Sequence, residues 1–502
     1  MFRIFGPPGT GKTTTLLNMV DEALAKGTHP SRIAFLAFTR KAAHEARDRA
    51  ASRFGLDPTT DLTYFRTLHS LAYRLLSVKD SQLMRKTNYL ELADAIGYVL
   101  SGNDTVIEDE EQRSRNVEHP ILSLINLARL TRQSLRQTYN QSEMEHTWLE
   151  VNYVAEAYKT YKERDGLLDF TDLLELFLGS IEEVCPEFDL CFVDEAQDLS
   201  PLQWEIAHAL DKRTKRFYVA GDDDQAIYRW AGAQVSHFIN LEGGSEVLEQ
   251  SYRIPRSVHQ LAEKVAHRIS NRFPKRYLPR TEEGSVQYID NVDELEMATG
   301  NWLIMAQANY MLSPVVEELK HMGFLFERNG YRSISEKVSL AVNGWEQLRK
   351  GSSVSVDTAR AIYGFLSGNG LHVARGKKNI KLDEEARLTL EDLQTNHGLL
   401  IGDDLIWHQA LDRLPDADKV YITAILKSGE KFNAKPRIKL STIHGTKGGE
   451  ADNVVLFTDL SPAALRHRDH NDLHRVFYVG ITRTMENLFL VDPMDYDRSY
   501  LL

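Results

Sequence analysis

The feature that most constrains this chain lies within its first thirteen residues. Phe2 to Phe5 reads as a short apolar strand, Thr13 to Ala25 has a helical pattern, and Gly6-Pro7-Pro8-Gly9-Thr10-Gly11-Lys12-Thr13 runs between them. That octapeptide fits G-x-x-x-x-G-K-[ST], whose glycines let backbone N–H groups curl around a phosphate at the positive end of the helix. In such a loop Lys12 reaches the β- and γ-phosphates and the Thr13 hydroxyl ligates Mg²⁺. A chance glycine turn has no reason to sit between the correct strand and the correct helix. The loop in turn demands a parallel α/β sheet with ligands at the carboxyl ends of its strands.

A phosphate loop needs an acidic partner to hold the metal and handle water. Leu190-Cys191-Phe192-Val193-Asp194-Glu195-Ala196-Gln197-Asp198 supplies one, an apolar strand ending in adjacent carboxylates. Asp194 is the candidate for Mg²⁺, through the cation's water shell, and Glu195 for orienting or deprotonating the attacking water. The plainer alternative is that both acids cap the helix that follows. Nucleotide hydrolysis is accelerated by positive charge delivered from a separate domain, and the candidates are Arg253 and Arg483. Taken alone, either would be read as a surface salt bridge.

The order of elements predicts more than one such sheet. Strands are expected at Ile33 to Phe38, Leu190 to Val193 and Phe217 to Ala220; a second cycle begins near Gln287. It includes strands at Trp302 to Met305, Asn453 to Thr458 and Asn487 to Val491, and a helix at Pro314 to Met322. Residues from Ala72 to about Arg164, and again from Ser333 to Lys435, read as helical and polar. At 502 residues the chain is long enough for about three or four domains. The expected fold is α/β: two cores with parallel sheets, each carrying a mostly helical insertion. The boundaries fall at residues 1–72 with 165–255 and 256–332 with 436–502 for the cores, and 73–164 and 333–435 for the insertions.

Composition excludes some classes. No run of about 18 apolar residues occurs, so no membrane-spanning helix is expected. Met1 leads almost directly into the phosphate loop, so no signal peptide is expected. Cys185 and Cys191 fit neither a zinc framework nor a disulfide scaffold, which makes a reducing cytoplasm the default. The net charge of −12 argues at first against a nucleic-acid partner. Charge is local, however: Lys264, Arg268, Arg272, Lys275, Arg276 and Arg280 form a basic run, while acids gather elsewhere, as in Glu108-Asp109-Glu110-Glu111. Phosphate contact and a solvated helix face are both open readings of the basic run.

With these residues in view, the sequence resembles the UvrD/Rep/PcrA group of superfamily 1 helicases over nearly its whole length. The phosphate loop corresponds to motif I, and Phe38-Thr39-Arg40-Lys41-Ala42-Ala43 to motif Ia. Thr67-Leu68-His69-Ser70-Leu71 and Leu168-Asp169-Phe170-Thr171-Asp172-Leu173-Leu174 are similar to two further family segments. Asp194 to Asp198 is motif II, Gly221 to Ala233 motif III, and Ser251-Tyr252-Arg253 belongs to motif IV. Thr442 to Glu450 resembles motif V, and Phe477 to Thr484 motif VI. The resemblance lies in having all of these, in order, at compatible spacing.

The resemblance implies RecA-like folds for both cores, ATP and Mg²⁺ as cofactors and single-stranded or tailed duplex DNA as partner, with movement 3′-to-5′. Gly6, Gly9, Thr10, Gly11, Lys12, Thr13 and Thr14 would surround the phosphates, Tyr252 would stack on adenine, and Glu450 would contact the ribose. Gln225 would sense the γ-phosphate, with Arg253 and Arg483 as arginine fingers. Phe38, Tyr228 and Trp230 would stack on bases, with Thr39, His69, Arg229, Thr442 and His444 nearby. Stacking suits a motor blind to sequence, because every base has a π-face; ordinary core packing is the alternative for Tyr228 and Trp230. The chain departs from the family pattern at Gly449, where an apolar residue is usual, and no adenine-reading glutamine segment stands before motif I. Replication or repair proteins are the expected partners, and a monomer or weak oligomer the expected state. The rival readings are a translocase that strips proteins from single strands, a small-molecule phosphotransferase and a nucleotide-gated clamp. The phosphotransferase would share Lys12, Thr13 and Asp194 but would not need the aromatic segment Gln225 to Trp230.

Overall fold

The computed structural model describes residues 1–101, 118–380, 386–466 and 469–502; the acidic run Glu108 to Glu111 lies outside them. Six strands form the first sheet: β1 (Phe2–Phe5), β2 (Ile33–Ala37), β3 (Phe65–Thr67), β4 (Phe188–Val193), β5 (Thr214–Gly221) and β6 (Ser245–Val247). Their order is β3-β2-β4-β5-β1-β6, and every neighbouring pair is parallel. Because both faces are covered by helices, β2 and the C-terminal parts of β4 and β5 are continuous apolar runs rather than alternating ones. Helices Lys12–Ala25 and Arg40–Phe54 pack Leu16, Val20 and Ala46 against Ile4, Phe35 and Phe192 on one face. On the other, helices Phe170–Val184 and Pro201–Asp211 pack Leu174, Phe177 and Ile206 against Phe5, Leu36 and Cys191.

The second sheet uses β7 (Ser285–Ile289), β8 (Trp302–Ala306), β9 (Phe326–Arg328) and β10 (Tyr331–Arg332). After a two-stranded ribbon of β11 (Val354–Ser355) and β12 (Arg387–Leu388), it is completed by β13 (Ile438–Thr442), β14 (Ala451–Phe457) and β15 (Thr484–Val491). The order is β10-β9-β13-β8-β14-β15-β7, parallel except for the β9–β10 hairpin at its edge. Successive side chains alternate between faces. Ile304 and Val455 therefore meet helices Ser313–Met322 and Asp416–Ser428, whereas Leu303, Met305 and Leu456 meet Arg256–Ala266 and His470–Ile481.

Between β3 and β4 lies a helical unit with its own core, in which Tyr89, Leu92, Ile121, Val151 and Tyr158 pack together. Arg129 ties it to the helix that leads into β4, with Nη1 2.8 Å from Asp169 Oδ2 and Nη2 2.6 Å from Glu175 Oε2. The segment between β10 and β13 is mostly helical, as expected, and also carries the short β11–β12 ribbon. Two-residue strands are too short to leave a period in the sequence. No helix among the described residues is long and apolar enough to cross a membrane.

Candidate nucleotide and nucleic-acid sites

β1 ends directly in the phosphate loop. Gly9 and Gly11 take left-handed backbone angles, φ 72° and 75°, which glycine reaches without a Cβ clash. At Gly9 a side chain is excluded a second time, since a Cβ there would lie 2.3 Å from Arg253 Cβ. The loop is thus packed against the segment after β6: the Ser251 hydroxyl donates to the Pro8 carbonyl and the Tyr252 N–H to the Gly9 carbonyl, both at 2.8 Å. Tyr252 itself is 72% exposed, an open aromatic ring beside Gly11. Thr10 is buried and donates to the Pro7 carbonyl, and the Thr14 hydroxyl accepts from Arg49.

Beneath the loop, the carboxylates after β4 meet the start of helix Lys12–Ala25. Lys12 Nζ lies 2.9 Å from Asp194 Oδ1 and also bonds Glu195 Oε1. Thr13 Oγ1 is 3.4 Å from Asp194 Oδ2. A hydroxyl and a carboxylate side by side are oxygen donors of the type Mg²⁺ takes when phosphates and water fill the rest of its shell, so these residues fit that ion. Burial pushes the Glu195 carboxyl up, but Lys12 and Lys447 outweigh burial and hold it below the usual carboxylate range. Glu195 is therefore held as an anion, able to accept a hydrogen bond from water. Its backbone is left-handed, φ 56°, uncommon for a residue with a side chain. Gln197 Nε2 holds the second carboxylate oxygen at 2.6 Å.

The second sheet unit faces this site across a cleft. Arg253 Nη2 lies 2.6 Å from Glu450 Oε2. Arg483, immediately before β15, is buried and donates to Gln225 Oε1 at 2.7 Å, to the Val479 carbonyl at 3.0 Å and to the Gly449 carbonyl at 3.3 Å. Among the described residues it forms no ion pair with a carboxylate. Burial, then the like charge of Arg253, push its pKa down. A buried cation faced by neutral acceptors is costly until an anion joins it, and a terminal phosphate is such an anion.

The aromatic residues proposed for bases separate into two roles. Tyr228 is 2% exposed; its ring stacks on Phe38 at 5.3 Å, with Lys447 Nζ 5.0 Å from its centroid. That is a packing position, and it moves the groove reading away from Tyr228 to the residues it supports. Trp230 is 57% exposed and borders a cavity of about 840 Å³ that Gln133, His444, Ser461 and Asn471 also line. Arg229 pairs with Asp469 and Asp472 across the cleft. His69 is buried edge-on to Phe170. The Thr39 hydroxyl caps helix Arg40–Phe54 through the Ala42 N–H, and the Thr442 hydroxyl accepts from the Gly445 N–H. Trp230 and His444 line the cavity, whereas Phe38 stacks on Tyr228, His69 packs on Phe170 and Thr39 caps its helix.

The basic run divides: Lys264, Arg268 and Arg276 are exposed, whereas Arg272 and Lys275 are drawn into ion pairs. Lys275 is buried among Asp222, Asp223 and Asp224, and Arg272 pairs with Asp224. Those partners lie some fifty residues upstream, so nothing local in the sequence marks the pairing. Lys447 was also missed as a site residue: it bonds Asp198 and lies 3.7 Å from Glu195 Oε2. Against the pull of Lys447, burial pushes the Asp198 carboxyl up to about 7.

Residues 2–244 match the family model described as the UvrD/REP helicase N-terminal domain, and residues 418–492 the UvrD-like helicase C-terminal domain. The ATP-dependent DNA helicase PcrA of Leuconostoc citreum is 27% identical over 64% of this chain and 43% of its own length. That of Bacillus subtilis (strain 168) is 26% identical over 66% of this chain and 46% of its own. The chain thus spans less than half the length of these curated relatives.

Proposed function

The chain belongs to the UvrD-like helicase family, and on that premise we propose that it hydrolyses ATP to move 3′-to-5′ along single-stranded DNA and to unwind duplex. The observation that carries this reading is the single loop after β5, in which Gln225 bonds Arg483 across the cleft while Trp230, five positions on, stands exposed at the large cavity. Fuel and track then meet on one short segment. The residues at 1–72 and 165–255 form the nucleotide-binding core, those at 256–332 and 436–502 the second core, and 73–164 and 333–435 their insertions.

In this reading the triphosphate lies along the Gly6–Thr14 loop with its adenine on Tyr252 and its ribose at Glu450. Lys12 exchanges its carboxylate partners for the β- and γ-phosphates. Mg²⁺ would be held by Thr13 and Asp194 and would supply charge neutralisation at the phosphates. Glu195 orients a water toward the γ-phosphorus and accepts its proton as the bond to the β-γ bridging oxygen breaks. Arg253 and Arg483 balance the charge that develops on the transferred group, and Gln225 reports its loss. Phe38, Trp230 and His444 grip the strand. The partners are replication or repair proteins, the chain works as a monomer or weak oligomer, and its compartment is the cytoplasm.

The test is ATP hydrolysis with and without single-stranded DNA, followed by unwinding of duplexes with 3′ or 5′ tails. Hydrolysis is expected to rise strongly with single strands and the stimulation to fade with salt, because each neutralised phosphate contributes a log–log slope of about −0.7 on single strands. A rate indifferent to nucleic acid at every salt concentration would remove the motor and restore the phosphotransferase. Unwinding confined to 5′ tails would reverse the polarity.

A further inference from the structure

The three consecutive carboxylates Asp222-Asp223-Asp224 sit immediately before Gln225, and they are almost wholly buried. A short strap from the second unit crosses onto them. It leaves helix Arg256–Ala266, lays Phe273 on Phe5 of β1 with ring centroids 4.0 Å apart, and returns to the second unit where Tyr277 Oη meets Tyr478 Oη at 3.3 Å. At its centre is Lys275, 1% exposed in its side chain, with Nζ 3.0 Å from Asp222, 2.6 Å from Asp223 and 2.6 Å from Asp224. Arg272 forks onto Asp224 at 2.8 and 2.6 Å, the Phe273 N–H donates to Asp223 Oδ2 at 2.7 Å, and Arg475 Nε donates to the Asp223 carbonyl at 2.9 Å.

Asp222 is where this clamp reaches the site. Its Oδ1 faces Lys275, while Oδ2 accepts from Gln225 Nε2 at 2.8 Å. Gln225 Oε1 in turn accepts from Arg483. A carboxylate can only accept and a guanidinium can only donate, so the two neighbours together dictate which way the Gln225 amide points. We propose that Lys275 is a positioning residue: by fixing Asp222 it sets the amide of Gln225, and through it the Arg483 guanidinium, in register with the terminal phosphate. The inference rests on the reading of Gln225 as the phosphate sensor and adds to it a line from the strap, Lys275 to Asp222 to Gln225 to Arg483, along which movement of the two units alters the sensor.

Charge balance alone is the competing account, since a lysine among three buried carboxylates is needed merely for folding. The two are separated by a cycle. Lys275→Met removes the charge, and adding Asp223→Asn, which has no contact with Gln225, restores the balance and is expected to give a protein that melts near the wild type. DNA-stimulated kcat of this double variant is expected to fall about ten-fold with the KM for ATP changed less than about two-fold, as for a lost transition-state contact. In a Gln225→Ala background the same change should lower kcat less than about two-fold further, because one path is already cut. Full recovery of kcat with Asp223→Asn, or effects that multiply, overturns the proposal; so does failure of the balanced variant to fold, which makes the strap a structural staple. A wild-type rate indifferent to DNA counts against the proposed function instead, and the cycle is then read on basal hydrolysis.

Discussion

Replacing Glu195 by glutamine is expected to yield a protein that holds ATP and does not turn it over. The substitution keeps the size of the side chain and the partner at Gln197, and removes the charge that faces Lys12 and Lys447 together with the group that accepts a proton from water. Loss of general-base assistance is worth about 10²–10⁴-fold in kcat. Lys12→Ala is expected to stop turnover by another route. It removes a phosphate contact and the cation that Asp194 and Glu195 share, a loss that lowers affinity for the nucleotide as well as rate. Titration with a fluorescent ATP analogue separates the pair: tight binding without hydrolysis for Glu195→Gln, weak binding for Lys12→Ala. Hydrolysis at the wild-type rate by Glu195→Gln would strip that residue of its role.

Trp230→Ala is expected to weaken the hold on single-stranded DNA and to stop or severely slow unwinding. Base–aromatic stacking is worth about 1–3 kcal/mol per base, or roughly five- to hundred-fold in affinity. Because the indole is more than half exposed, little core is lost, and stability should change by no more than about 0.5 kcal/mol. Tyr228 is the internal control. Its ring is buried on Phe38, so Tyr228→Ala removes packing and should lower the melting temperature several degrees, by a loss of about 3 kcal/mol or more. Fluorescence anisotropy with a labelled oligonucleotide and a thermal melt distinguish the two. A Trp230→Ala protein that binds single strands unchanged, or melts as far below wild type as Tyr228→Ala, would make the indole a packing residue.

Much of this was legible in sequence because parallel strands buried on both faces are unbroken apolar runs, and because the catalytic acids follow them directly. β2, β4 and β5 announced themselves that way, and β14 and β15 likewise. β3, β6, β9 and β10 have two or three residues each, too few for a period, and β13 (Ile-Lys-Leu-Ser-Thr) alternates with polar residues at its exposed positions. The site divided on the same line. Lys12, Thr13, Asp194 and Glu195 are local to their motifs and are brought together. Lys275 and Lys447 are defined by what lies across the fold from them, so their charge was visible and their partners were not. Tyr228 and Trp230 are two residues apart and read alike, yet Gly232 and the turn at Arg229–Ala231 aim one ring inward and the other out.

The left-handed backbone at Glu195 sets a limit on how far heat tolerance and activity can rise together. A side chain held in that region costs on the order of 1–3 kcal/mol, which the neighbouring strand and the bonds to Lys12 and Gln197 must offset. Glycine alone would occupy the position without strain, and glycine has no carboxylate. The chain therefore gives up a share of its thermal reserve at the one place where chemistry needs a base, and improvement of its stability has to be found elsewhere in the fold.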